Sequence, residues 1–140
     1  GDAHRFYGFT NLTAFTSDLS SLTDGYGMFQ FCSNLTSFKS DLSSLTDGRY
    51  MFSRTGLTSF TSDLSSLTSG ENMFSSCKLD SNSIENILTT IPTITKAKTL
   101  TIGIQESAAS KFAEITGLTP TTTEQTVSYK GWKVKVKVNN

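Results

Sequence analysis

The side chains able to do chemistry in this 140-residue chain are few. Its one histidine, His4, lies near the N-terminus, where a lone imidazole reads as a solvated residue or a scar rather than a base. Serine is abundant, but no histidine is placed to activate one, so a Ser-His nucleophile cannot be assembled. No cluster of His, Cys, Asp and Glu has metal-ligand spacing, and there is no glycine-rich phosphate loop and no Gly-x-Ser-x-Gly. The chain is not expected to be an enzyme, and nothing in it calls for a metal or a cofactor.

Repetition is the stronger signal. Asp-Leu-Ser-Ser-Leu-Thr occurs at 18–23, 41–46 and 63–68, offset by 23 and then 22 residues. The carboxylates that open the copies, Asp18, Asp41 and Asp63, could form a cation ladder. A sufficient structural role is simpler: each accepts backbone N–H bonds and opens a tight helical turn. Gly25, Gly48 and Gly70 follow each copy and read as turn glycines free to take positive φ.

Aligned on the hexapeptide, the units form apolar columns. Phe6, Phe29, Phe52 and Phe74 make one, with Met28, Met51 and Met73 beside the last three. Leu12, Leu35, Leu57 and Leu79 make a second, and Phe15, Phe38 and Phe60 a third. Leu19, Leu42 and Leu64 follow, then Leu22, Leu45 and Leu67. No unit can bury these alone, so near-identical units at this period predict a stack. Leu-Thr-Ser-Phe predicts one parallel strand per rung, with Ser37, Lys39, Ser59 and Thr61 facing outward.

Cys32 and Cys77 share a column two rungs apart, with Thr55 between them. Two rungs put their Cα atoms about 10 Å apart, and a disulfide needs less than about 7 Å. Both thiols are expected to be free and at least partly buried. The sequons Asn11-Leu-Thr and Asn34-Leu-Thr fall at equivalent positions and are expected to be incidental.

Beyond Leu79 the pattern changes. Ile84, Ile87, Leu88 and Ile91 mark one helix face, with Asn82 and Glu85 as its capping pair and Pro92 as its stop. Leu100, Ile102 and Ile104 read as a strand. Residues 107–116 read as a second helix burying Ala109, Phe112 and Ile115, and residues 122–130 as a third that Gly131 stops. Trp132, Val134, Val136 and Val138 alternate with Lys133, Lys135 and Lys137. These predict a final edge strand whose lysines deter pairing with another chain, or alternatively a site for an anionic polymer.

Composition bounds the rest. The net formal charge is zero and the mean hydropathy −0.19, which disfavours a nucleic-acid binder. Residues 1–80 carry five Lys and Arg against eight Asp and Glu, and residues 81–140 seven against four. No stretch is long and apolar enough to insert in a membrane, and no signal peptide is recognisable. Starting inside a repeat, the chain reads as a fragment of something longer. It is expected to form one domain, repeats over 6–80 and a closing segment over 81–140.

Met-Phe-Gln-Phe-Cys-Ser-Asn-Leu-Thr-Ser-Phe at 28–38 and Met-Phe-Ser-Ser-Cys-Lys-Leu at 73–79 resemble the BspA-type leucine-rich repeat of bacterial surface proteins. The resemblance covers residues 6–80, and Lys130-Gly131-Trp132 looks like the segment that closes such arrays. It implies a right-handed β/α solenoid with parallel strands and a C-terminal helix–strand cap. It also implies secretion or display on a bacterial cell surface, and often adhesion. The chain departs from the pattern at Thr55 and Phe9, which stand in the cysteine column.

Positions fixed between copies are those that must pack. The variable ones flank Met-Phe: Tyr26-Gly27, Arg49-Tyr50 and Glu71-Asn72 before it, Gln30-Phe31, Ser53-Arg54 and Ser75-Ser76 after it. Stacking brings Tyr26, Phe31, Arg49, Tyr50 and Arg54 together, and Tyr and Arg are enriched in binding hot spots. The expectation is a monomeric, non-enzymatic surface module whose patch binds a protein or a glycan. The alternative is a spacer with no ligand site of its own.

Overall fold

From Phe6 to Leu79 the backbone advances mainly through overlapping turns, and these satisfy its hydrogen bonds in two directions. In the second unit the amides of Met28, Gln30 and Cys32 bond back to the carbonyls of Gly25, Gly27 and Phe29. The alternate amides of Gly25, Gly27, Phe29 and Phe31 donate instead to Asp47, Arg49, Met51 and Ser53 of the next unit. The third unit does the same towards Ser69, Glu71, Met73 and Ser75. Within each such run two residues, four apart, take left-handed backbone. The computed structural model describes residues 2–140.

The described elements are β1 (Ala14–Phe15), β2 (Ser37–Phe38), β3 (Gly70–Leu79), α1 (Ser81–Thr90), β4 (Thr99–Ile104), α2 (Ala109–Thr116), β5 (Gln125–Tyr129) and β6 (Trp132–Val138). β1 and β2 form a two-stranded parallel sheet. The larger sheet has the order β3-β4-β6-β5, with β5 antiparallel to β6 and the other pairs parallel.

This architecture corrects the expected right-handed β/α leucine-rich-repeat solenoid with its helix–strand cap. The described residues form a small α/β fold with two α-helices, both after residue 80, and a mixed sheet. The repeats supply no helix, because Ser, Thr and Gly in the connecting segments bond locally instead of sustaining one. The expectation of a strand in every rung also fails at the third copy. There the Phe60 amide donates to Ser83 Oγ at 2.7 Å, while Asn86 Nδ2 donates to the carbonyls of Phe60 and Ser62. The Leu64 amide donates to Thr90 Oγ1. Ser83, Asn86 and Thr90 thus form a polar strip along α1 that takes the place of a neighbouring strand.

Aromatic rings fill the interior of the repeats in two files. Phe6, Phe29, Phe52 and Phe74 stack nearly parallel, with centroids 5.4, 5.6 and 5.6 Å apart. Phe15, Phe38 and Phe60 follow at 6.0 and 6.1 Å. The files meet edge to face, as where Phe38 approaches Phe52 at 4.8 Å. Both geometries suit the ring quadrupole, each pair adding about 0.5–1.5 kcal/mol beyond burial. One buried cluster runs from Leu22 to Val138, with Phe6, Leu12, Phe15 and Leu19 of the first unit only half-buried against it.

The turn glycines have a different purpose from the one expected. Gly25, Gly48 and Gly70 are not among the residues with positive φ. They are buried where a Cβ would strike Met51 Sδ, Met73 Sδ and Leu100 Cδ1, so they make room for the next unit's side chains. Asp18, Asp41 and Asp63 accept the amides of Ser20, Ser43 and Ser65, at 2.8, 2.8 and 2.7 Å.

Three local readings after residue 80 need correction. The N-cap of α1 is Asp80, which accepts from the Ser83 amide, and not Asn82 with Glu85. The expected third helix is β5, because Thr126, Val127 and Tyr129 favour a strand and Lys130-Gly131 forms a left-handed two-residue turn with φ of 51° and 86°. β6 is not an edge strand: it lies between β4 and β5. The hairpin is pinned to the segment that follows α1, since Trp132 Nε1 donates to the Pro92 carbonyl at 2.8 Å. Lys130 Nζ also donates to the carbonyls of Thr89 and Ile91 at the helix C-terminus.

Candidate functional site

Two left-handed positions recur in each unit, flanking the core Phe. The first is occupied by His4, Gly27, Tyr50 and Asn72, with φ of 58°, 61°, 59° and 56°. The second is occupied by Gly8, Phe31, Arg54 and Ser76, with φ of 70°, 64°, 60° and 61°. Glycine takes this conformation freely, whereas a bulky L-residue is strained there by about 1–2 kcal/mol. Phe31, Tyr50 and Arg54 accept that strain although glycine stands at equivalent positions in other units. Backbone strain of this kind concentrates at functional sites.

Those residues form the middle of a surface patch. The Arg49 guanidinium lies 4.9 Å from the Tyr26 ring centroid, and Tyr26 lies 5.7 Å from Tyr50. Arg54 sits 5.6 Å from the Phe31 ring centroid. The structure therefore gathers the five sequence-derived candidates into two clusters, Tyr26–Arg49–Tyr50 and Phe31–Arg54. The first unit bridges them: His4 approaches Tyr26 at 5.0 Å and Tyr7 at 5.7 Å, and Tyr7 meets Phe31 at 5.4 Å.

His4 and Tyr7 are the residues that sequence reasoning missed. His4 is exposed but held, its amide donating to the Tyr26 carbonyl at 2.8 Å. Extending the variable columns into the first unit, where Ala3-His4 and Tyr7-Gly8 flank Arg5-Phe6, was the available signal. Tyr7, Phe9 and Phe31 are 51%, 53% and 38% exposed, the large apolar side chains most open to solvent.

The two arginines differ. Asp47 grips Arg49 through both carboxylate oxygens, at 3.0 Å from Nε and 2.9 Å from Nη2. Burial pushes the Asp47 carboxyl upward, but the hydrogen bonds and charge of Arg49 outweigh it and hold the group below its ordinary value. The Asp47 hydrogen bond likewise raises Arg49. Arg54 enters no ion pair among the described residues and is free to meet an anion. Cation–π contacts and a bidentate-capable guanidinium suit a ligand that is flat, polar at its edge or negatively charged.

The other candidates are structural. Cys32 and Cys77 are buried and free, their thiols donating to the carbonyls of Phe6 and Phe52 at 3.0 and 3.2 Å. Burial pushes the Cys77 thiol up to about 11 and raises Cys32 as well. Among the described residues no group of three or more His, Cys, Asp or Glu could hold a metal ion, and no helix is long and apolar enough to cross a membrane. A cavity of about 810 Å³ lies beside α2, where Glu106, Ser107, Ala109, Ser110 and Ala113 are among the lining residues. Compared with known proteins, the chain matches no protein family, no curated protein and no solved structure.

Proposed function

We propose that this chain is a non-catalytic binding module of a bacterial surface or secreted protein, and that it holds a protein or a glycan on the patch of Tyr26, Phe31, Arg49, Tyr50 and Arg54. The observation that carries this reading is the placement of Phe31, Tyr50 and Arg54 on left-handed backbone. Phe31 and Arg54 are exposed there and Tyr50 is half-buried, beside further aromatic rings. Their contacts with Tyr7, Tyr26 and one another leave part of each side chain open, and contact with a ligand would add to what offsets the strain. Surface display rests on the resemblance of residues 6–80 to BspA-type repeats.

The test is an array of glycans and host proteins probed with the wild-type chain and with the double variant Y50G/R54G. The reading expects at least one specific ligand whose signal the double variant loses. A ligand bound equally by both proteins would remove the patch from the account.

A further inference from the structure

The outer surface of the larger sheet continues the patch. Beside Arg54 in the column of second left-handed positions stands Ser76 of β3, and the Arg54 amide donates to the Ser75 carbonyl at 3.0 Å. Ser53 and Ser75 share a hydrogen bond between hydroxyls at 2.7 Å. Ser75 and Ser76 then line a hollow of about 150 Å³ with Thr101, Gly103, Glu124, Lys137 and Asn139. A second row runs beside it: Tyr50, then Asn72, whose amide donates to Thr101 Oγ1 at 3.0 Å, then Lys135, which pairs with Thr101 in the β4–β6 register. Gly103 pairs with Lys137 in the same way. Four strand spacings, about 19 Å in all, separate Phe31 from Lys137.

The lysines of β6 have lost the explanation that an edge strand would give them, because β5 covers that edge. Lys133, Lys135 and Lys137 stand on the face opposite buried Trp132, Val134, Val136 and Val138. Among the described residues none of the three has an ion-pair partner, and neither does Arg54 or Lys78. The carboxylates nearby are Glu124 in the hollow, exposed Glu71, and Asp47, which Arg49 occupies. One surface therefore offers aromatic rings, a free guanidinium, the exposed Ser76 and unpaired ammonium groups, in that order.

We infer that the ligand of the patch is an acidic polysaccharide, which leaves the rings at Phe31 and Tyr50, passes Arg54 and Ser76, and reaches Lys135 and Lys137. This rests on the binding reading above and gives it a substrate class. The apolar C–H face of a sugar suits the negative face of an aromatic ring. Its carboxylate suits the planar fork of arginine, and its hydroxyls suit the exposed Ser76. A nucleic acid fits less well, because its phosphate density calls for a broad basic field and this chain has zero formal net charge.

The experiment measures fluorescence anisotropy of a labelled decamer of polygalacturonate, its fully methyl-esterified form, and a dT12 oligonucleotide, each against the folded chain. The variants are K135S/K137S, Y50G/R54G, and K39S/K96S, which removes the same charge elsewhere. The inference expects the acidic decamer to bind, with roughly tenfold loss in K135S/K137S and none in K39S/K96S. It also expects a salt slope lower by about two in K135S/K137S, and at least roughly tenfold weaker binding of the ester. Equal loss in both lysine variants overturns the inference, and if Y50G/R54G still abolishes binding the patch itself survives. Equal binding of the ester, tighter binding of dT12, or binding of none of the three also overturns it. Failure of the patch would be seen separately, as an array ligand that Y50G/R54G retains.

Discussion

Residues 2–80 and residues 81–140 solve the same problem, satisfying the backbone around an apolar interior, by opposite means. After residue 80 the chain uses regular elements. α1 bonds within itself from its Asp80 cap, and β4, β6 and β5 pair residue for residue without a break. Before residue 80 the backbone bonds outward at alternate residues to the next unit, and strands are two residues long until β3. β3 itself takes two register shifts to pair with β4, the trace of the same turns meeting a regular strand. Regular elements leave side chains to pack or face water in fixed periods. Overlapping turns set two residues per unit on left-handed backbone, and those positions carry the side chains that differ most between units. In this molecule irregular backbone is where variation has been placed.

The contrast can be broken most severely at the rings. Phe52 meets Phe29, Phe38, Phe60 and Phe74, and Phe52→Ala is expected to cost about 3–5 kcal/mol, read as a lower urea midpoint. A cost under about 1 kcal/mol would mean that the files do not hold the repeats. Gly131→Ala attacks the other half: its Cβ would run into the Ile94 carbonyl on a backbone with φ of 86°. A loss of about 2–3 kcal/mol is expected, without change to the repeat patch.

The junction between the halves gives a smaller effect. Ser83→Ala leaves the buried Phe60 amide without its 2.7 Å acceptor, at a cost of about 1–3 kcal/mol. Hydrogen exchange at Phe60 should quicken more than at Val134. Smaller again is the acid response of the Asp47–Arg49 clamp. The Asp47 carboxyl lies below its ordinary value in the folded chain, so its contribution is present above the unfolded value of about 3.9 and is lost as pH falls through the folded one. Solvent screens the pair, so the effect is under about 1 kcal/mol. Asp47→Asn should flatten the stability profile below pH 4 relative to wild type.

The two halves were also unequally legible. Ile84, Ile87, Leu88 and Ile91 announced α1, and Trp132 to Val138 announced β6, because period carries regular structure directly. The apolar columns of the repeats were equally plain, and all five columns pack into or against the core. The backbone linking them was not, since overlapping turns have no side-chain period. Gly25 looked like a flexible turn residue and proved to be a space for Met51. β5 carries a weak strand signal because its inward face, Val127 with Gln125 and Tyr129, is only half-buried, which weakens alternation. Of the candidate site, the five residues are legible as the positions that vary between units, and stacking brings them into two neighbouring clusters. Their left-handed backbone was invisible, because Phe31, Tyr50 and Arg54 are residue types that do not signal it.

The central claim is that large side chains on left-handed backbone are held for a ligand and not for the fold, and Y50G/R54G tests it in one protein. Each glycine relieves about 1–2 kcal/mol of strain and adds about 0.5–1 kcal/mol of unfolded-chain freedom. The measurement is the urea midpoint of the variant beside its binding to the ligand that wild type selects. The account predicts a midpoint equal to or above wild type, an unchanged slope, and lost binding. A variant that loses more than about 1 kcal/mol of stability yet binds as wild type does would contradict it.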